Sequence, residues 1–146
     1  MNHALALGRQ AERRGEVPVG AVVVEGGAII GRGANRPIGS RDPSAHAEIV
    51  ALRNAARRRG NYRLTGATLY AVVEPCLMCV GALLHARIAR LVYGAGDPKV
   101  GAVAIAQELA ARHGVNHEFE VTAGVQEVEC RRQLRDYFSG RRSGGN

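Results

Sequence analysis

The sequence predicts an α/β domain, a mixed sheet of about five strands with helices on both faces. Three observations carry this. Two apolar runs, "VGAVVVE" and "AIIGRGA", flank Gly26-Gly27 and form a hairpin signal. Strand-like and helix-like segments then alternate to the end of the chain. The 146 residues are 46% hydrophobic and 23% charged, with no linker or repeat dividing them, so one core is expected.

The elements follow in order. A first helix is expected over residues 2–13, stopped by Gly15 and followed by Pro18. The hairpin comes next. "RDPSAHAEIVALRNAARRRG" reads as a helix, with Asp42 or Ser44 as cap, Pro43 in its first turn and Gly60 at its end. "ATLYAVV" is a strand, "PCLMCVGALLHA" a helix and "RLVYGA" a strand. Residues 102–112 and 126–138 are helical, with the strand "EFEVTAG" between them. Residues 1–138 are thus one domain, and the polar tail 139–146, "SGRRSGGN", is expected to be disordered.

Composition narrows the class. No apolar run approaches the roughly 18 residues of a membrane span, and no secretory leader pattern is visible. Three cysteines at uneven spacing make no disulfide framework, so a reducing, cytoplasmic setting is expected. The net charge of +7 favours a polyanionic partner through counterion release. Of the twenty basic residues only Lys99 is lysine, so the charge also fits an Arg-rich compositional habit.

Two of the three cysteines fall in "EPCLMC". A Cys-x-x-Cys pair can be a redox couple, half of a structural zinc site, or part of a catalytic metal centre. Pro75 suits a first helical turn, which puts Cys76 and Cys79 on one face at a helix N-terminus, where thiolates are favoured. "SAHAEI" places His46 and Glu48 at another helix start. Were the two helix starts to meet at adjacent strand ends, one imidazole and two thiolates would form a three-ligand zinc set with one position open for water. On a regular helix residues i and i+2 point about 200° apart, so His46 and Glu48 can share a site only at an irregular helix start. Cys130 reads as a buried free thiol.

"HAE" followed by "PCLMC" resembles the H-x-E…P-C-x-x-C pattern of zinc-dependent nucleobase deaminases. The blocks "GEVPVGAVVV", "GRGANRPIGSRDPSAHAEIVALR", "NYRL", "ATLY", "HARI" and "VNHEFE" bring the chain closer to the bacterial tRNA-specific adenosine deaminases, over nearly its whole length. The resemblance implies a three-layer α/β/α cytidine-deaminase-like fold. It also implies one Zn2+ per subunit on His46, Cys76 and Cys79, and hydrolytic conversion of adenosine to inosine at the first anticodon position of tRNA. Glu48 would be the proton shuttle: it takes a proton from the attacking water, passes it to N1 of the purine and later protonates the departing amine. Unassisted by the resemblance, Glu48 reads equally as a solvated acid at a helix start.

Substrate contacts are implied at Asn35, which is otherwise a turn-former before Pro37, and along Val17, Pro18 and Val19, which core packing explains as well. Pro75 belongs to the same set. Asp97 and Lys99 match a loop that contacts flanking nucleotides, or simply form a turn. Tyr137 and Phe138, followed by Arg141 and Arg142, can stack on and neutralise a single-stranded loop, or one of the rings packs in the core. His85 reads as structural. The chain departs from the family pattern at Ala34, at Val72 and in the Ala-rich segment 102–112. Expected partners are a tRNA anticodon loop and a second copy of the chain, with no membrane. The alternatives are a guanine, cytosine or dCMP deaminase, an engineered relative acting on single-stranded DNA, and a non-enzymatic RNA-binding subunit.

Overall fold

The computed structural model describes residues 1–144. Its elements are α1 (Asn2–Arg13), β1 (Gly20–Glu25), β2 (Ala28–Ala34), α2 (Pro37–Ser40), α3 (Ala47–Arg59), β3 (Thr68–Val73), α4 (Leu77–Ala86), β4 (Arg90–Ala95), α5 (Val103–Arg112), β5 (Glu120–Thr122) and α6 (Glu127–Ser143). The strands form one mixed sheet in the order β2-β1-β3-β4-β5. β1 runs antiparallel to β2 and β3, whereas β3, β4 and β5 are parallel. Parallel neighbours need a crossover, and α4 and α5 provide the two.

Small residues let the layers approach closely. On one face, α1 lies against β1, where any Cβ at Gly20 would run into the Ala4 carbonyl and the Gly8 amide. α6 shares that face and packs on β4, with Cys130 filling the space over Gly94. On the other face, α3 presents Ala47, Ala51 and Ala55 to Gly31 and Gly33 of β2, backbone against backbone. α4 lies beside α3, and α5 beside α4. The core between the layers is aliphatic, with Leu64, Leu69, Leu83, Ile88 and Leu91 fully buried.

The register brings several chain segments to one end of the sheet. Gly20 pairs with Ala34, and Ala21 with Ala71, so Val19, Asn35 and Val73 converge there. The Asn35 N–H donates to the Val19 carbonyl at 3.0 Å. β3 and β4 also end there, leading into Glu74–Cys76 and Gly96–Val100.

Three boundaries and one added element differ from the sequence expectations. The third helix starts at Ala47, because Asp42 and Ser44 serve another turn: Asp42 Oδ1 accepts the Ser44 N–H at 2.8 Å and its hydroxyl at 2.7 Å. A short helix, α2, precedes it and was not expected; the carboxylate of buried Glu16 accepts the Gly39 N–H at 2.7 Å and the Ile38 N–H at 3.4 Å. Pro75 lies outside α4, which begins two residues later at Leu77. The last helix continues through Ser143, so residues 139–143 of the expected tail are helical, while residues 145–146 lie outside the described part. No helix of the described residues is long and apolar enough to cross a membrane.

Candidate active site

Two helix starts face each other at this end of the sheet. His46 is the N-cap of α3 (φ −66°, ψ 152°), and Cys76 is the N-cap of α4 (φ −75°, ψ 174°). Histidine and cysteine are poor caps, since Ser, Thr, Asp and Asn are the side chains that accept helix N–H groups. Neither side chain makes a capping bond here, and they turn toward each other instead. The extended backbone at His46 removes the difficulty of the i, i+2 spacing. Only Glu48 of the pair lies on the helix proper, so the two side chains need not diverge by a helical rotation.

His46 Nδ1 stands 3.6 Å from the sulfur of Cys76 and 3.6 Å from that of Cys79. One donor atom from each of these three side chains lies within 4.8 Å of the others, the one such group among the described residues. Zinc bonds of about 2.0 Å to nitrogen and about 2.3 Å to sulfur, set at tetrahedral angles, place N and S roughly 3.5 Å apart. The observed separations fit that figure, and two sulfurs with one imidazole are a donor set zinc accepts. All three cysteines are free thiols, and Cys130 lies away from the cluster beneath Gly94.

Glu48 completes the floor. It is 3% exposed, and the Cys79 thiol donates to its Oε2 at 3.7 Å. Burial pushes its carboxyl above the usual range. The thiols behave as a couple. The Cys79 side chain beside it, then His46, holds Cys76 down to about 4. Cys79 is pushed up first by its pairing with Cys76 and then by burial. His46 is raised chiefly by its hydrogen bond with Cys76. The pair thus favours the thiolate on Cys76 and the thiol on Cys79, and a bound cation would favour the thiolate on both.

A cavity of about 280 Å³ opens above His46, Glu48 and Cys76. Val17, Val19, Asn35, Val73, Glu74, Asp97 and Val100 also line it. Leu134 and Phe138 of α6 close it. α6 is held in place by Gln133, whose side-chain amide donates to the Pro18 carbonyl at 3.0 Å and the Leu5 carbonyl at 3.2 Å. Sharing Asp97, Val100 and Phe138 with this cavity is a larger hollow of about 690 Å³, lined by Lys99, Arg135, Arg141 and Arg142.

Of the residues singled out in the sequence, Asn35, His46, Glu48, Cys76, Val19, Asp97 and Phe138 meet at the cavity. Lys99 and Arg141 stand in the adjoining hollow. Pro75 is fully buried beneath the site. Tyr137 is turned into the core at 8% exposure, edge-on to Phe138 at 5.2 Å and beneath the Arg141 guanidinium at 5.1 Å. Of the aromatic pair, Phe138 is the exposed ring. Val73, Glu74, Val100 and Leu134 were not singled out. The first three adjoin quoted motifs, but Leu134 reaches the cavity only through packing of α6, for which the sequence carries no local signal.

Residues 1–95 match the family described as the cytidine and deoxycytidylate deaminase zinc-binding region. The chain is 50% identical to the tRNA-specific adenosine deaminase of Haemophilus influenzae, over 97% of this chain and 83% of that protein. It is similar to a solved structure from work on A-to-I editing by tRNA:A34 deaminases at the wobble position of transfer RNA. There the TM-score is 0.86 at 44% identity, covering 92% of this chain and 97% of that one. Guanine deaminase from Bacillus subtilis is 37% identical with a TM-score of 0.63, covering 80% of this chain and 68% of that one.

Proposed function

The chain belongs to the cytidine and deoxycytidylate deaminase zinc-binding family, and we propose that it deaminates adenosine to inosine at the first anticodon position of tRNA. The observation that carries the chemistry is the convergence of His46 Nδ1 on two cysteine sulfurs at 3.6 Å, beside a buried glutamate. The choice of tRNA rests on the similarity to tRNA-specific adenosine deaminases and on the basic hollow that continues the cavity.

His46, Cys76 and Cys79 would hold one zinc ion per subunit. Bound there, it would supply a Lewis acid that lowers the pKa of water toward about 7. Glu48 moves the protons. Burial raises its carboxyl, so it can both accept a proton from the attacking water and keep it long enough to deliver it to purine N1. A second proton, from the hydroxyl added at C6, passes through Glu48 to the departing amine: C6 keeps the oxygen as a carbonyl, and ammonia leaves. Asn35 hydrogen-bonds the nucleoside, Val19 and Phe138 flank the base, and Pro75 fixes the backbone under it. Asp97, Lys99 and Arg141 contact the neighbouring nucleotides. Tyr137 supports Phe138 and Arg141 from below.

The protein works as a homodimer in the cytoplasm. Support for a second copy comes from an apolar groove of about 350 Å³ between α3 and α4, lined by Leu52, Tyr62 and Met78 among others. Of its lining, Tyr62 is 63% exposed and Met78 39% exposed, apolar side chains that a second copy would cover.

Deamination of free guanine is the second reading, favoured by the likeness to guanine deaminase. One experiment separates the two: the zinc-loaded protein is given an anticodon stem-loop carrying adenosine and, in parallel, free guanine. Inosine in the stem-loop with guanine untouched supports the proposal, and xanthine formation without inosine overturns it.

A further inference from the structure

Of the three carboxylates at the cavity, Glu48, Glu74 and Asp97, Glu74 is the one to which the reaction above gives no role. It stands between the end of β3 and the Pro75–Cys76 pair. Its own N–H donates to the Ala95 carbonyl at 2.7 Å, tying the ends of β3 and β4. Its side chain reaches across to the segment that follows β4. Oε2 accepts the N–H of Val103, the first residue of α5, at 3.5 Å. α5 has no side-chain cap of its own, so a carboxylate from another strand meets its exposed N–H groups. Gly101 packs directly on the same oxygen, and any Cβ at that position would overlap both it and the Asp97 carbonyl.

The segment between is folded on itself. Asp97 Oδ1 accepts the N–H groups of Lys99 at 2.9 Å and Val100 at 3.1 Å, and the Gly101 N–H donates to the Asp97 carbonyl at 3.0 Å. Such a loop keeps its shape, but its orientation over the site depends on its outside links. Two of these are the Glu74 carboxylate and the Pro75 carbonyl, which accepts the Ala102 N–H at 3.1 Å. The loop they hold carries Asp97 and Val100 to the cavity and Lys99 to the basic hollow.

We infer that Glu74 is a positioning residue: its carboxylate docks the 97–101 loop over the site and thereby sets how the nucleotides flanking the target are gripped. The substrate half of this inference rests on the tRNA reading; the docking half does not. Glu74 touches the loop rather than the reacting atoms, so its loss acts on substrate capture more than on turnover.

The test uses the zinc-loaded full chain as wild type, Glu74→Ala, Glu74→Gln and Gly101→Ala. Amide hydrogen exchange over residues 97–103 is measured beside KM and kcat on the stem-loop and the zinc content. Glu74→Ala, which removes the contact, and Gly101→Ala, which crowds it together with the Asp97 carbonyl, should both speed exchange in that segment and leave α3 and α4 as protected as before. KM should rise roughly tenfold, with kcat within about threefold and zinc retained. Glu74→Gln keeps an acceptor oxygen and should recover most of the wild-type KM. Unchanged exchange at residues 97–103 in Glu74→Ala overturns the docking. A drop in kcat at constant KM, or loss of zinc, also overturns it, since Glu74 would then act at the reaction or on the metal ligands. Faster exchange in a chain whose wild type makes no inosine upholds the docking and defeats the tRNA reading alone.

Discussion

The sulfur of Cys79 lies 3.7 Å from Oε2 of Glu48, a thiol donating to a carboxylate in a buried site. The contact joins the first turn of α4 to that of α3 and places the proton carrier directly beside a metal ligand. Glu48→Gln preserves size and burial while removing the proton traffic. We expect zinc content to match the wild type and kcat to fall by about 10²–10⁴-fold, the range typical of a positioned acid–base group. Metal analysis and single-turnover kinetics on the stem-loop check this, and activity within a few-fold of wild type contradicts it.

Zinc uptake should release protons. In the metal-free chain Cys76 is ionised above pH of about 4, whereas Cys79, raised in pKa, still carries its proton at neutral pH. Binding therefore displaces about one proton from the pair at pH 7–8, and affinity weakens as pH falls because the Cys79 proton must leave and protons also compete for His46. Calorimetry in buffers of different ionisation enthalpy measures the proton count. Affinity independent of pH between 5 and 8 contradicts the ligand set.

Gly33 sits where α3 presses on β2, and a Cβ there meets the Ala47 carbonyl and the Ala51 amide rather than a yielding side chain. Gly33→Ala should destabilise the fold by about 1–3 kcal/mol and weaken zinc binding, since α3 carries His46 at its start. Gly81, in α4, faces open space where a methyl group would stand, with no neighbouring element within 4 Å. Gly81→Ala should therefore stabilise the fold by about 0.5–1 kcal/mol. Thermal melts of both variants test the contrast.

How much of this was legible in the sequence depended on whether a signal was local. α1 spans the expected residues 2–13, and Gly26-Gly27 turns the hairpin where expected, because turn glycines and amphipathic spacing act within a few residues. The start of α3 was misplaced for a physical reason. Asp42 and Ser44 are good caps by type, but they close a turn on each other, and the real cap is a histidine whose side chain is committed elsewhere. The last helix outran its expected end in a stretch that looks polar and frayed, where Arg141 donates to the distant Gly15 carbonyl at 3.4 Å, a tertiary contact with no local signal. The motif cysteines and His46 could be paired from the sequence; Leu134 could not, since only the crossing of α6 brings it to the cavity.

Asp42 gives a prediction in acid. Its carboxyl is held below the ordinary value first by the hydrogen bond from the Ser44 hydroxyl, and then by that from the Ser44 N–H. A carboxyl lowered in the folded state stabilises fully above its unfolded pKa of about 3.9 and loses that contribution as pH falls through the folded value. Asp42→Ala should thus lower Tm at pH 6, and the gap to wild type should narrow below pH of about 3.9. A gap constant across that range would mean the charge plays no part in the turn.

The most direct measurement is zinc K-edge X-ray absorption on the purified, metal-loaded chain. The account predicts two sulfur neighbours at about 2.3 Å, one imidazole nitrogen at about 2.0 Å and one further light atom from solvent. A shell of three or four sulfurs, or a chain that takes up no zinc and links Cys76 to Cys79, would contradict it.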